Sequence, residues 1–274
     1  MMLERVIPVS GEKIPVIGVG SWIQFDVDAH SPEKENLKEV LKLMHKKGAR
    51  VIDSSPMYGR SEQVIGELTS SLPFGDEFFY ATKVWTSGKE NGIAQINRSL
   101  NNMNRKTMDL IQVHNMQDWQ THIDTLNEWK KDGKVRYTGV THYRDSAHAA
   151  LEKIVSTKAV DFVQFNYSII SRNAERTLLD ACKDNGIAVL VNEPLEKGML
   201  FKKMQGRKIP VWANELNVNS WAAFFLKYVL ANEAVTCVIP GTSNPAHMQQ
   251  ILEAGEGPLP DQQMRERMRK FMDE

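Results

Sequence analysis

The chain is short of cysteine, of net charge and of long apolar runs, and each shortage removes a class of function. Only two of its 274 residues are cysteines, Cys182 and Cys237. They lack the spacing of a metal site. Cys182 falls on a helix face and Cys237 in a strand-like run, so both read as buried free thiols. The 34 basic residues match the 34 acidic ones, leaving a net charge of zero. Nothing in that balance suggests a nucleic-acid surface or a polybasic membrane patch. No run approaches the roughly 18 apolar residues of a spanning helix. The N-terminal Met1-Met2-Leu3-Glu4-Arg5-Val6 has no apolar signal-peptide core. A Gly-x-Gly-x-x-Gly turn is also missing, since Gly18-Val19-Gly20 has no third glycine, and this weakens the case for a doubly wound dinucleotide fold. What remains is a soluble, cytoplasmic, globular protein, 42% hydrophobic and sized for one domain over residues 1–274.

What is present is a repeated grammar of helix, glycine and buried strand. Leu37, Val40, Leu41 and Met44 share one helix face, with Ser31 expected as N-cap, Pro32 at the first helical position and Gly48 as the stop. A strand, Arg50-Val51-Ile52-Asp53, follows. A helix from Asp118 carries Ile123, Leu126 and Trp129, stops at Gly133 and leads into Val135–Val140. Another carries Ala174, Leu178 and Cys182, stops at Gly186 and leads into Ile187–Val191. Eight such strands are expected near residues 15–20, 50–55, 78–83, 108–114, 135–141, 161–167, 187–193 and 235–241. Helical crossovers between them imply parallel pairing. The expected fold is therefore α/β, a (β/α)8 TIM barrel.

Three segments stand outside that repeat. Arg5 to Ile17 reads as an N-terminal β-hairpin turning at Ser10-Gly11-Glu12-Lys13 and plugging the barrel floor. Lys197 to Asn219 is too long for an ordinary connection, as lids and binding loops often are. Asp261 to Glu274 reads as a C-terminal amphipathic helix with Met264, Met268 and Phe271 on one side.

Barrel enzymes carry their chemistry at the C-terminal ends of the strands. The polar residues at those ends are Asp53, Tyr58, Lys83, His114, Asn115, Thr141, His142, Gln164, Asn166, Asn192 and Glu193. Taken singly, each has a structural explanation, such as an ion pair or a satisfied strand-end group. Ionisable groups after three successive strands, Asp53 and Tyr58, then Lys83, then His114, are hard to explain by stability alone.

With those residues and this spacing, the chain resembles the aldo-keto reductases from Gly18-Val19-Gly20-Ser21-Trp22 to Ile239-Pro240-Gly241-Thr242-Ser243-Asn244-Pro245. The resemblance implies a barrel that uses a nicotinamide cofactor and reduces carbonyl compounds to alcohols. In that reading Tyr58 is the general acid, Lys83 lowers the Tyr58 pKa, Asp53 anchors Lys83, and His114 orients the carbonyl. Gln164 with Thr141 and His142 is expected at the nicotinamide amide, and Gly20 and Ser21 beside the cofactor. The Glu193-Pro194-Leu195-Glu196-Lys197-Gly198-Met199-Leu200 segment resembles the loop over the pyrophosphate, with Pro194, Leu195, Gly198 and Leu200 as contacts.

Asn192 stands where many members have a stacking aromatic. Gly241, Thr242, Ser243, Asn244 and His247 are expected at the adenosine end, where a helix N-terminus favours an anion. Gly241 and His247 replace the family's common Lys and Arg, so NADP comes first, with NAD or dual use as the alternative. Trp22, Trp85 and Asn115, with Met57 and Trp119, are expected around the small carbonyl substrate. Two other readings fit the residues: a cofactor-binding sensor with slow turnover, and a Schiff-base isomerase or aldolase. Asp53 argues against the last by keeping Lys83 protonated.

Overall fold

The computed structural model describes residues 1–274. An antiparallel hairpin of β1 (Glu4–Val6) and β2 (Lys13–Pro15) precedes eight parallel strands. These are β3 (Gly18–Gly20), β4 (Val51–Asp53), β5 (Phe79–Val84), β6 (Met108–His114), β7 (Val135–Thr141), β8 (Phe162–Asn166), β9 (Ala188–Asn192) and β10 (Val235–Val238). The helices are α1 (Glu33–Lys47), α2 (Ser61–Ser70), α3 (Lys89–Asn102), α4 (Trp119–Lys131), α5 (His148–Thr157), α6 (Leu178–Asn185), α7 (Met199–Lys203), α8 (Trp221–Leu230), α9 (Pro245–Glu253) and α10 (Gln262–Asp273).

Each barrel strand pairs in parallel with the next, from β3 round to β10. The seam between the first and last strands is closed by backbone bonds. Val238 N donates to Val16 O at 2.9 Å and Gly20 N to Pro240 O at 3.2 Å, about an Ile17–Val238 bridge. The expected barrel is therefore the observed one. A side chain at Gly20 would put a Cβ 2.8 Å from Ile239 O, so the tight seam requires glycine there.

Strand alternation sorts the side chains into two cores. On β5, Phe79 and Ala81 face the barrel interior, while Tyr80 and Val84 face the helices. The interior cluster of 12 residues also holds Val51, Leu110, Tyr137, Phe162, Leu190 and Cys237. Ile7 and Ile14 of the hairpin belong to it, so the hairpin plugs the N-terminal end as expected. Each buried isoleucine contributes about 1.5–3 kcal/mol of apolar burial. The outer cluster of 66 residues lies between barrel and helices. Both cysteines are buried and free.

Some expected boundaries move. The first helix starts at Glu33, one residue later than expected, with Pro32 at the cap position and Ser31 Oγ accepting from Glu33 N at 3.2 Å. Ala174 belongs to a separate single turn (Asn173–Glu175) before α6, not to the helix that carries Leu178 and Cys182. The long segment after β9 is a packed excursion. It contains α7 and a turn at Val211–Leu216, and buries Leu200, Met204, Ala213 and Val218. The C-terminal helix is capped by Asp261, whose Oδ1 accepts from Met264 N at 2.8 Å, and it buries Met268 and Met272.

Candidate active site

The inner face of the barrel changes from apolar to polar above the Phe79–Tyr137–Phe162 layer, one pleat on at Gln164 and two at Lys83, past Ala81. Residues two positions further along the strands point the same way. That periodicity brings Asp53, Lys83, Gln112 and Gln164 together as one buried layer.

Asp53 is the hub. Its Oδ2 accepts from Lys83 Nζ at 2.5 Å, and its Oδ1 accepts from Gln112 Nε2 at 3.0 Å and Gln164 Nε2 at 3.1 Å. Lys83 Nζ donates a second bond to Ser54 O at 2.7 Å. Lys83 is fully buried and Asp53 nearly so. An ion pair this deep is costly unless both ends are hydrogen-bonded, and here both are. Burial pulls Lys83 toward the neutral amine, but Asp53 and Tyr58 together outweigh it, so its pKa lies above the ordinary value. Lys83 is an ammonium at neutral pH.

Tyr58 stands over this pair from the loop after β4, with Lys83 Nζ 5.1 Å from its ring centroid. The expectation that Lys83 leaves Tyr58 with a lowered pKa needs correction. Burial pushes the phenol up, Lys83 pulls it back, Asp53 and Glu193 oppose Lys83, and the balance is upward. The Lys83 contribution has the expected sign, but the desolvation that outweighs it depends on surroundings that a strand-end pattern does not display.

His114 ends β6, and its ring meets the Tyr58 ring edge-on at 6.1 Å. Its Nδ1 lies 3.3 Å from Ser55 Oγ, which also accepts from Met57 N at 3.3 Å. When the serine proton is directed at Nδ1, the hydrogen of the neutral imidazole sits on Nε2. Burial, then the charge of Lys83, then His142, pull the His114 pKa down to about 3. His114 is thus neutral across the physiological range.

The folded-state pKa lies below the unfolded value of about 6.5. The associated stability is therefore complete above that pH and is lost as pH falls toward 3. His114→Gln is expected to lose less stability than the parent between neutral pH and about pH 4.5 in urea unfolding. Equal losses would contradict the assignment.

These groups lie at the floor of a cavity of about 870 Å³. Most of the expected site residues line it: Gly20, Ser21, Trp22, Asp53, Tyr58, Trp85, His114, Asn115, Thr141, His142, Gln164, Asn192, Pro194, Leu195, Gly198, Gly241, Thr242 and His247. Lys83 lies behind the wall. Leu200 is fully buried in the outer core and does not reach the cavity. Ser243 and Asn244 do not line it either. Asn244 spends its Oδ1 on capping α9, accepting from Ala246 N at 2.9 Å. Trp119 opens α4 and packs against the outer core, whereas Met57 does line the cavity.

The amides around Gln164 form a directed chain. Gln164 Oε1 accepts from Thr141 Oγ1 at 3.1 Å and from Asn192 Nδ2 at 3.4 Å, and Asn192 Nδ2 also donates to His142 O at 3.2 Å. Asn192 Oδ1 and Asn115 Oδ1 are buried acceptors without a protein partner. Such groups need a donor from somewhere. His142 Nδ1 accepts from Tyr143 N at 2.9 Å, which leaves its Nε2 as a donor. Burial first, then Arg144 and His148, lower its pKa.

Sequence reasoning did not single out several lining residues: Ile23, Gln24, Tyr143, Phe201, Ile239 and Pro240, while Lys197 belongs to the segment expected over the pyrophosphate. Lys197 Nζ sits 5.2 Å from the Trp22 ring and 5.8 Å from the Tyr143 ring, and pairs with Glu193 at 2.9 Å. Gln112 was also missed, although its place two residues before His114 puts it on the same strand face.

The profile of the Aldo/keto reductase family matches residues 16–270. The chain belongs to the aldo/keto reductase family. An NADH-specific methylglyoxal reductase of Escherichia coli (strain K12) is 30% identical over 185 residues, 57% of this chain and 55% of that protein. This chain thus matches about half the length of that relative. The methylglyoxal reductase YeaE of the same organism is 25% identical over 259 residues, covering 91% of this chain and 88% of its own length. An aldo/keto reductase from Klebsiella pneumoniae, solved with NADP and acetate, superposes with a TM-score of 0.82 at 22% identity, over 97% of this chain and 94% of that one. That likeness supports the fold. No helix of this family member is long and apolar enough to cross a membrane.

Proposed function

We propose that this aldo/keto reductase reduces aldehydes and ketones to alcohols by hydride transfer, with Tyr58 as general acid and NADP as cofactor, NAD serving as a second. The carrying observation is the stack of Tyr58 on a buried Lys83–Asp53 pair, beside a neutral His114, at the floor of the cavity.

When bound, reduced nicotinamide supplies the hydride. The residues present fit such a dinucleotide. Asn192 Oδ1 is an orphaned acceptor beside Gln164 and Thr141, suited to a carboxamide. The Pro194–Gly198 loop and Lys197 would cover the diphosphate. Gly241 and Thr242 would meet the adenosine end, and a side chain at Gly241 would crowd Gly20 O at 3.0 Å. Lys197 is the one lysine or arginine lining the cavity, and over a diphosphate common to both cofactors it argues against strict dependence on a 2′-phosphate and admits NAD beside NADP.

This chain's own residues manage the proton. Negative charge develops on the carbonyl oxygen as the bond to carbon is reduced. The Tyr58 hydroxyl donates its proton to that oxygen, and the Lys83 ammonium stabilises the tyrosinate left behind. Asp53 keeps the ammonium charged and in place. His114 Nε2 donates to the same oxygen and fixes the carbonyl face, and because His114 is neutral it does not compete as an acid. Trp22, Trp85 and Met57 wall the substrate end. The names of the relatives favour small reactive aldehydes as substrates.

NADPH and NADH oxidation against a panel of methylglyoxal, other aldehydes, ketones, quinones and sugars tests the proposal. Aldehyde-dependent oxidation with both cofactors, faster with NADPH, is the expected outcome. Tight cofactor binding without any carbonyl-dependent oxidation would replace this reading with a sensor.

A further inference from the structure

Gln112 has no contact with the cavity, yet its amide is committed on both sides to the groups beneath it. It is fully buried on β6. Its Nε2 donates to Asp53 Oδ1 at 3.0 Å and its Oε1 accepts from Gln164 Nε2 at 3.4 Å. An ionised carboxylate can only accept, so the amide must present its NH2 to Asp53. Its seat is shaped for it. The register partner across the strand pair is Gly139, and a Cβ there would lie 3.1 Å from Gln112 Cγ.

We propose that Gln112 is a positioning residue of the reaction: it fixes the Asp53 carboxylate so that the other oxygen holds Lys83, and thereby sets how much of the Lys83 charge reaches Tyr58. This rests on the reading of Tyr58 as the acid. The carboxylate can pivot about its Cβ–Cγ bond, and donors on Oδ1 stop that rotation. They also draw negative charge away from the oxygen that faces Lys83. Of the two Oδ1 donors, Gln164 borders the cavity, while Gln112 lies wholly inside the protein.

With Gln112 removed, more of the carboxylate charge falls on the Lys83 contact. Less of the ammonium field is then left to stabilise a tyrosinate. The titratable groups facing Asp53 and Tyr58 are Lys83 from β5, His114 from β6, Glu193 from the loop after β9 and Cys237 from β10, with His142 from the loop after β7 acting on His114. Gln112 is the uncharged member through which a new charge can be introduced without touching substrate.

The test compares Gln112→Leu and Gln112→Glu with the parent enzyme. The readouts are kcat and KM for an aldehyde across pH, cofactor affinity by tryptophan quenching, and thermal unfolding. Gln112→Leu is expected to lower kcat by about 10- to 100-fold, as misplacements remote from the reacting atoms can, with KM changed less than about twofold. Gln112→Glu matches the amide in size. Its protonated form donates to Asp53 as the amide does, so activity stays near the parental level at acidic pH. Its ionised form sets a second negative charge beside Asp53, so a new descending limb appears as pH rises, absent from both the parent and Gln112→Leu.

A merely structural glutamine would give losses in both variants that do not follow pH. That result, or parental kinetics in Gln112→Leu, overturns the proposal. If Gln112→Leu fails to fold, the limb in Gln112→Glu still decides. Tyr58→Phe is run alongside. Retained turnover there would overturn the reading of Tyr58 and this proposal with it, whereas a dead Tyr58→Phe and no new limb in Gln112→Glu would overturn this proposal alone.

Discussion

Tyr58→Phe is expected to lower carbonyl turnover by about 10³-fold while cofactor affinity stays within about twofold. General acid catalysis is typically worth 10²- to 10⁴-fold, and beside the phenol no group at the floor of the cavity stands ready to give up a proton at neutral pH. His114 is held neutral, with burial as the main cause. Lys83 is enclosed by Asp53 and Ser54 O and does not line the cavity. The phenylalanine keeps the ring that meets His114 edge-on, so the pocket shape survives and only the proton is removed. Stopped-flow measurement of nicotinamide oxidation together with fluorescence titration of cofactor separates the two effects. Parental turnover in the variant would end the assignment.

Lys83→Met is expected to fail twice, in catalysis and in stability. Loss of the ammonium removes the one contribution that pulls the Tyr58 pKa down, so the phenol becomes a weaker acid and kcat falls by about 10²-fold or more. The stability loss has a separate cause. Breaking a buried ion pair by deleting one partner typically costs about 3–5 kcal/mol, because the remaining charge stays buried without its counter-ion. Asp53 keeps its bonds from Gln112 and Gln164, which places the expected loss near the lower end, about 3 kcal/mol. Urea unfolding at neutral pH gives the stability, and a variant as stable as the parent would show that the pair is not a structural hub.

The fold was legible because its signal is local and repeated. Glycine stops after the helices, as at Gly48 and Gly186, coincide with left-handed caps at φ 89° and 68°. The central residues were legible for a different reason: Asp53, Lys83 and His114 each end a strand-like run, so their polarity stands out, and Tyr58 lies in the loop just after Asp53. Gln112 was not legible in that way. It sits inside its apolar run, between Ile111 and Val113, and only the two-residue step from His114 marks its face. The meeting of Lys197 with Trp22 and Tyr143 was not legible, because the three come from loops after different strands and only the folded chain brings them together. Leu200 was placed at the cofactor by the resemblance of its loop, but hydrophobic burial turns it into the core. Asn244 was expected at a ligand, and its side chain is taken up by the helix it caps. The net direction of the Tyr58 shift depends on how completely the phenol is enclosed, which is a property of the packed barrel.

The central claim is that Lys83 tunes Tyr58 within one proton-donating unit. The most direct measurement is the titration of Tyr58 itself, followed by NMR on protein carrying ¹³C at the tyrosine ring carbons. The chain has 6 tyrosines, and the resonance lost in Tyr58→Phe identifies the one in question. The account predicts that Tyr58 titrates above the usual phenol range in the parent and higher still in Lys83→Met. A midpoint in Lys83→Met equal to or below the parental one would contradict it.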